Sequence, residues 1–213
     1  MTDVRVVAID GPSGSGKSTV ARAVAARLGL DYLDTGAMYR SVAFAALRRN
    51  IDPEDVEPIG RLAQHVEIEL DGNDVRVDGV DASVEIRGPE VTRAVSAVAA
   101  NPEVRSEMVR RQREWIASHG GGVVEGRDIG AVVWPEAQPK VYLTARLAVR
   151  ADRRHKEVEE LEYDRVAADM AARDTLDSTR EASPLQMAQG SIVIDTTDHS
   201  IDEVVDIVMG LVE

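Results

Sequence analysis

The 213-residue chain contains no cysteine, so disulfides and thiolate metal sites are excluded, in keeping with a reducing compartment. Its four histidines, His65, His119, His155 and His199, are scattered without the spacing of metal ligands. No apolar stretch approaches the ~20 residues needed to span a bilayer, and the first residues lack the basic-then-apolar pattern of a signal peptide. A cytoplasmic location without a membrane partner is therefore expected. Positive charge is also in short supply: 25 basic residues against 38 acidic ones leave a net charge of −13. A nucleic-acid polymer needs a broad basic surface and is not expected as a partner. Any anion site must be local. Lysine is nearly missing, with Lys17, Lys140 and Lys156 beside 22 arginines. At 44% hydrophobic residues, the composition is that of an ordinary globular protein, expected to form one domain, possibly with inserts. A monomer is expected.

Against that acidic background stands Gly11-Pro12-Ser13-Gly14-Ser15-Gly16-Lys17-Ser18, an uninterrupted G-x-x-x-x-G-K-[ST] pattern. It follows the apolar run Val4–Ile9 and precedes a helical stripe of Val20, Val24 and Leu28, with Gly29 as the stop. Strand, glycine-rich loop and helix together make a phosphate cradle. The backbone N–H groups and the helix N-terminus converge on an anion, Lys17 adds charge, and the Ser18 hydroxyl is placed to ligand Mg2+. A nucleoside triphosphate is the ligand this pattern implies.

Short β-type runs recur at Val4–Ile9, Asp31–Leu33, Val123–Glu125, Lys140–Leu143 and Ile192–Ile194, with helical patterns between them. This rhythm predicts an α/β fold with a parallel sheet covered on both faces, its ligands beyond the carboxyl ends of the strands. The polar segments there are the phosphate loop, Asp34-Thr35-Gly36, Gly126-Arg127-Asp128 and Asp195-Thr196. Between about 64 and 95 the pattern changes to alternation, with Val66, Ile68 and Leu70, a turn at Asp71–Asp74, then Val75 and Val77. This reads as a small antiparallel hairpin inserted in the core. Asn101-Pro102-Glu103 starts a helix that runs to His119 and is ended by Gly120-Gly121-Gly122. Ser200 and Glu203 form a capping box for a last helix that buries Ile201, Val204, Val205, Val208 and Leu211.

Three constellations bear on a second substrate. Asp34-Thr35-Gly36-Ala37-Met38-Tyr39-Arg40 groups a hydroxyl, an aromatic ring and a guanidinium, and fits either a ligand site or a plain helix cap with a solvated arginine. In Gly126-Arg127-Asp128-Ile129-Gly130, a local salt bridge would explain the Arg-Asp pair but not the flanking glycines, which suggest close backbone approach to a ligand. Arg173, Asp177 and Arg180 share one face if helical, and taken alone read as a surface ion-pair ladder.

From AIDGPSGSGKST through LDTGAMYR, SVEIRGPEV, AVSAVAANPEVR, RRQR, VVEGRDIGAVVWPEA, VYLTA and RDTLDSTREASPL to IVIDTT, the chain resembles the bacterial cytidylate kinases, within the nucleoside monophosphate kinases. GRDIG, AVSAVAA and DSTR…SPL set that family apart from adenylate and guanylate kinases. The resemblance implies a three-layer P-loop kinase core with a five-stranded parallel sheet, a small antiparallel β insert for the monophosphate and a short lid over about 150–164. The activity it implies is transfer of phosphate from ATP, with Mg2+, to CMP and dCMP. Residues Gly11 to Ser18 and Thr19 would hold ATP. Thr35, Tyr39, Arg40, Ser96, Arg105, Arg127, Asp128, Arg173, Asp177 and Arg180 would bind the monophosphate. Arg150, Arg153 and Arg154 lie in or beside the lid, with Lys17, Arg40, Arg127, Arg153 and Arg154 acting on the transferring or accepting phosphate. The lid stretch HKEVEELEY is shorter and more acidic than the family pattern and lacks its glycine.

Phosphoryl transfer is mainly positioning and charge neutralisation, and a monophosphate already presents an anionic nucleophile. The lack of a convincing Ser-His-Asp or Cys-His set therefore costs nothing. A GTPase-like switch would need Asn-Lys-x-Asp, but none of Asn50, Asn73 and Asn101 precedes lysine. A shikimate-type kinase shares the loop, but not the hairpin and the multi-arginine second site.

Overall fold

The computed structural model describes residues 4–157, 162–180 and 183–212. The chain divides into two compact units, one of Met1–Tyr32 with Ile116–Glu213, the other of Leu33–Trp115. In the first, β1 (Arg5–Asp10) buries five successive residues, as a strand covered on both faces must. It is followed by α1 (Lys17–Leu28), and β2 (Tyr32–Asp34) carries the chain out of this unit. The chain re-enters through a long helix and continues as β6 (Gly121–Gly126), β7 (Lys140–Thr144), α6 (Leu147–Glu157), α7 (Tyr163–Thr179), β8 (Ile192–Asp195) and α8 (Ile201–Met209). The five-stranded sheet has the order β2-β6-β1-β7-β8, and β1 pairs in parallel with both β6 and β7, as does β7 with β8. All five strands fall on the expected runs.

Val7, Ile9, Val123, Val141 and Leu143 of the sheet pack with Val20 and Val24 of α1 and with Val204, Val205 and Val208 of α8. Gly29 ends α1 in the left-handed region, and both bonds of the Ser200–Glu203 capping box are present. Two expectations need correction. Ile201, the first residue of α8, is 38% exposed and does not join the core; its Cδ1 faces Gly16 of the phosphate loop. Only Gly120 terminates the helix before β6. Gly121 and Gly122 belong to the strand, because a Cβ at Gly121 would stand 2.2 Å from the Arg5 carbonyl oxygen of β1.

The second unit contains α2 (Thr35–Arg48), α3 (Val56–His65), β3 (Ile68–Asp71), β4 (Asp74–Val77), β5 (Val80–Asp81), α4 (Pro89–Ala100) and most of α5 (Pro102–His119). The expected hairpin is β3-β4, but β5 extends it to a three-stranded antiparallel sheet. Asp78 and Gly79 make the second turn, both with positive φ, 51° and 73°, the geometry that favours Asp-Gly in two-residue hairpin loops. Asn101 caps α5 through its side-chain oxygen, which accepts from the Glu103 and Val104 amides.

Candidate active site

The loop between β1 and α1 turns on three glycines with positive φ, Gly11, Gly14 and Gly16. Gly11 lies so close to β7 that a Cβ would stand 2.0 Å from the Leu143 carbonyl oxygen, and at Gly14 it would meet Arg150 and Met170 at 3.0 and 2.9 Å. Five successive carbonyls of the loop accept side-chain donors. Gly11 O accepts from Arg127 Nη1 (2.6 Å), and Pro12 O from Lys17 Nζ (2.8 Å) and Ser15 Oγ (3.0 Å). Ser13 O accepts from Arg150 (3.1 Å), Gly14 O from Arg153 (3.4 Å) and Ser15 O from Thr196 Oγ1 (3.0 Å).

Lys17 is buried at the first turn of α1. Burial, with the charges of Arg127 and Arg173, pushes its ammonium down to about 7, while Glu125 and Asp10 oppose the shift. Ser18 and Thr19 follow on the exposed side of the same turn.

Arg127 stands at the end of β6, next to β1. Its Nε donates to Asp177 Oδ2 (2.9 Å), and Arg180 Nη1 lies 3.7 Å from Asp177 Oδ1. Burial would raise Asp177, but Arg127, Arg173 and Arg180 outweigh it and hold the carboxyl below its ordinary value. Arg173, Asp177 and Arg180 are thus not a solvated ladder, since the Asp177 side chain is only 7% exposed and is paired with a residue from another element. Helix α7 ends at Thr179, so Arg180 is its extended C-cap rather than part of the helical face. Asp128 is buried beside Asp10 at the start of a π-helical turn, Ile129–Val133. The Ile129 and Gly130 amides donate to the Asp10 carboxylate, so the backbone approach expected at Gly130 is made to a side chain of the protein itself.

On α6, Arg153 donates from Nη1 to Thr196 Oγ1 (3.0 Å) and from Nη2 to Thr196 O (2.7 Å). Arg154 lies half-buried in the last turn. Each of the three guanidinium nitrogens of Arg150 has a partner: Nε donates to Ala145 O, Nη1 to Ser13 O, and Nη2 pairs with the Asp174 carboxylate. Part of the expected lid, 158–161, lies outside the described residues.

In the second unit, Asp34 caps α2 by accepting from the Ala37 amide and pairs with Arg40 at 2.8 Å. Burial would raise Asp34, but Arg40 and that amide hold it down. Gly36 leaves room for the pair, because a Cβ there would lie 2.9 Å from Arg40 Nη1. Thr35 is the buried first residue of α2, and one turn on the Arg105 guanidinium lies 5.5 Å over the Tyr39 ring. Ser96 is half-buried on α4, which packs along α2.

Three participants, Asp10, Glu125 and Asp174, escaped the sequence reading of the site, and a fourth, Thr196, was read only as part of its polar rim. Asp10 and Glu125 are buried carboxylates at the ends of β1 and β6, the latter accepting from the Tyr32 hydroxyl. Asp174 anchors Arg150, and Thr196 joins the loop to Arg153. Asp-Thr at the end of β8 was visible as part of the polar rim; nothing local marked the acids as buried.

Comparison with known proteins gives a match of residues 7–213 to the family model described as cytidylate kinase. The chain is 49% identical over 204 residues to a cytidylate kinase of Caldanaerobacter subterraneus subsp. tengcongensis, covering 94% of this chain and 91% of that protein. It is 48% identical over 215 residues to a cytidylate kinase of Mycolicibacterium paratuberculosis, covering 97% and 94%. Among solved structures, a gluconokinase from Sinorhizobium meliloti matches with a TM-score of 0.51 at 15% identity, over 100% of this chain and 93% of that one, a likeness of fold alone.

Proposed function

The chain belongs to the cytidylate kinase family, and on that premise we propose how its residues phosphorylate CMP. It is a nucleoside monophosphate kinase. ATP is the donor and dCMP a second acceptor. The observation that carries this reading is the link between Arg127 and the phosphate loop: one guanidinium touches both Gly11 O and the Asp177–Arg180 cluster. Groups suited to a triphosphate and to a second anion thus stand on adjacent strand ends.

Loop amides and Lys17 hold the β- and γ-phosphates. Arg40 and Arg127 hold the acceptor phosphate in line, its oxygen attacks the γ-phosphorus, and the bond to the bridging oxygen breaks with the electron pair leaving on ADP. Arg153, with Arg154, neutralises the transferring group. Arg150, which joins the loop to Asp174, pins the loop. Mg2+ fits the donor set as an ion shared with the phosphates, since Ser18 offers a hard hydroxyl oxygen on the exposed side of the loop. When bound, it would neutralise phosphate charge. Residues 64–95 serve as the monophosphate-binding insert of a single kinase domain, and about 150–164 as its lid, whose closure excludes water.

Base choice follows from donor pattern. Cytosine presents acceptors at O2 and N3 and a donor at N4, suited to Arg105 and Arg180 as donors and to Asp128 or the Ser96 hydroxyl as acceptors. Uracil reverses N3 and position 4, and one mispaired buried group costs roughly 1–3 kcal/mol, about ten- to a hundredfold. A coupled assay with ATP across CMP, dCMP, UMP, AMP, GMP and shikimate is expected to rank CMP and dCMP above UMP and far above the purines. Arg180→Met or Asp128→Ala should lower the CMP-to-UMP ratio of kcat/KM more than it changes ATP affinity. Equal use of CMP and UMP by the unmodified protein refutes the base-edge account.

A further inference from the structure

The Arg127–Asp128 pair is bracketed by the end of β1. On one side, Gly11 O accepts from Arg127 Nη1 at 2.6 Å. On the other, Asp10 Oδ1 accepts from the Ile129 amide and Asp10 Oδ2 from the Gly130 amide, both at 2.9 Å. Asp10 is in register with Gly126, so this clamp closes the gap between two neighbouring strand ends. We propose that Asp10 is a positioning residue for the monophosphate: its carboxylate sets the turn that aims Arg127 and Asp128. This inference rests on the roles given above to those two residues.

The choice of side chain supports it. Two successive amides need two acceptors on one short side chain, which a carboxylate supplies and a carboxamide does not, since its NH2 would face one amide donor to donor. The carboxylate is kept at a cost. It is 4% exposed, and burial pushes it up to about 6, with the Asp128 charge adding to the rise and Lys17 and the two amides opposing it. A strand end merely needing to be filled would take an apolar residue, as Val6 to Ile9 do before it. With both oxygens on backbone amides, Asp10 is not placed as a base for the reaction; its effect passes through the turn. That turn is rigid beyond the clamp as well, since Asp128 O accepts from the Val132 and Val133 amides at 2.8 and 3.3 Å.

The test is steady-state kinetics of Asp10→Asn with CMP, UMP and ATP, alongside circular dichroism. We expect KM for CMP to rise about tenfold and the CMP-to-UMP ratio of kcat/KM to fall, with KM for ATP within twofold of the unmodified enzyme. Equal losses for ATP and CMP, or an unchanged CMP-to-UMP ratio, overturn the inference and reduce Asp10 to a structural anchor. If the variant does not fold, amide NMR of the unmodified protein decides. The Ile129 and Gly130 signals should move together, with one midpoint, as acid protonates Asp10, a group faced by Asp128 from the turn and Lys17 from α1. Amides that do not follow a common protonation overturn it. An unmodified enzyme that does not phosphorylate CMP would instead remove the functional reading on which the inference stands.

Discussion

At the scale of single residues, Lys17 is the most consequential side chain. Its ammonium is lowered to about 7 because burial and two neighbouring guanidinium groups disfavour its charge. Between that value and its ordinary 10.5 the folded chain binds fewer protons than the unfolded one, so this group's contribution to stability is least below pH 7 and grows as pH rises toward 10.5. A polyphosphate reverses the balance by favouring the ammonium. ATP binding at pH 8 should therefore draw in most of one proton, seen by titration calorimetry as an apparent enthalpy that varies with the buffer's ionisation enthalpy. Lys17→Met should lose that uptake, and equal uptake in both proteins would refute the account. The same variant should fold normally and lose turnover by about a hundredfold or more. Lysine in the glycine loop was legible from eight letters, because the loop's chemistry is local. Asp10 was not, because its partners are 119 and 120 residues away and nothing near it in the chain announces them.

Among the elements, α3 depends on an arginine from α5. Arg111 donates to the carbonyls of Ala63 and Gln64 (2.9 and 3.2 Å) and of Val66 (2.8 Å), placing its charge at the helix C-terminus, where the dipole favours a cation. Glu107 holds Arg111 from the other side. Hydrogen bonds from Arg110, then Arg111, outweigh burial and lower its carboxyl to about 2. Arg111→Ala should cost about 2 kcal/mol, roughly 4–8 °C in Tm by thermal denaturation. The Glu107 contribution, complete above pH 4.5, should fade as pH falls toward 2. In the sequence, RRQR was legible only as a family segment; that Arg111 caps a helix 45–48 residues earlier is a tertiary fact. The third strand β5 was a different omission. Asp78-Gly79 is a strong local hairpin signal, but with β5 two residues long there was no alternation after it to notice. The five strands of the parallel sheet were readable because each is an apolar run bounded by polar turns, whereas Gly121 looked like a helix terminator until β1 supplied the close contact that requires glycine.

For the molecule as a whole, the net charge of −13 sets the background. Self-repulsion of that size destabilises the folded state and is screened over about 10 Å at 0.1 M salt, so raising a non-binding salt from about 10 to 300 mM should raise Tm by a few degrees. A fall over that range would mean that favourable pairs such as Arg127–Asp177 outweigh the net repulsion. The same excess of acid repels nucleotides at long range, so fewer encounters reach the loop. Those that do meet a cradle whose carbonyls, from Gly11 to Ser15, are already committed. Lys17 and Arg153 are among the donors on those carbonyls, so capture of a triphosphate trades bonds inside the protein for bonds to phosphate.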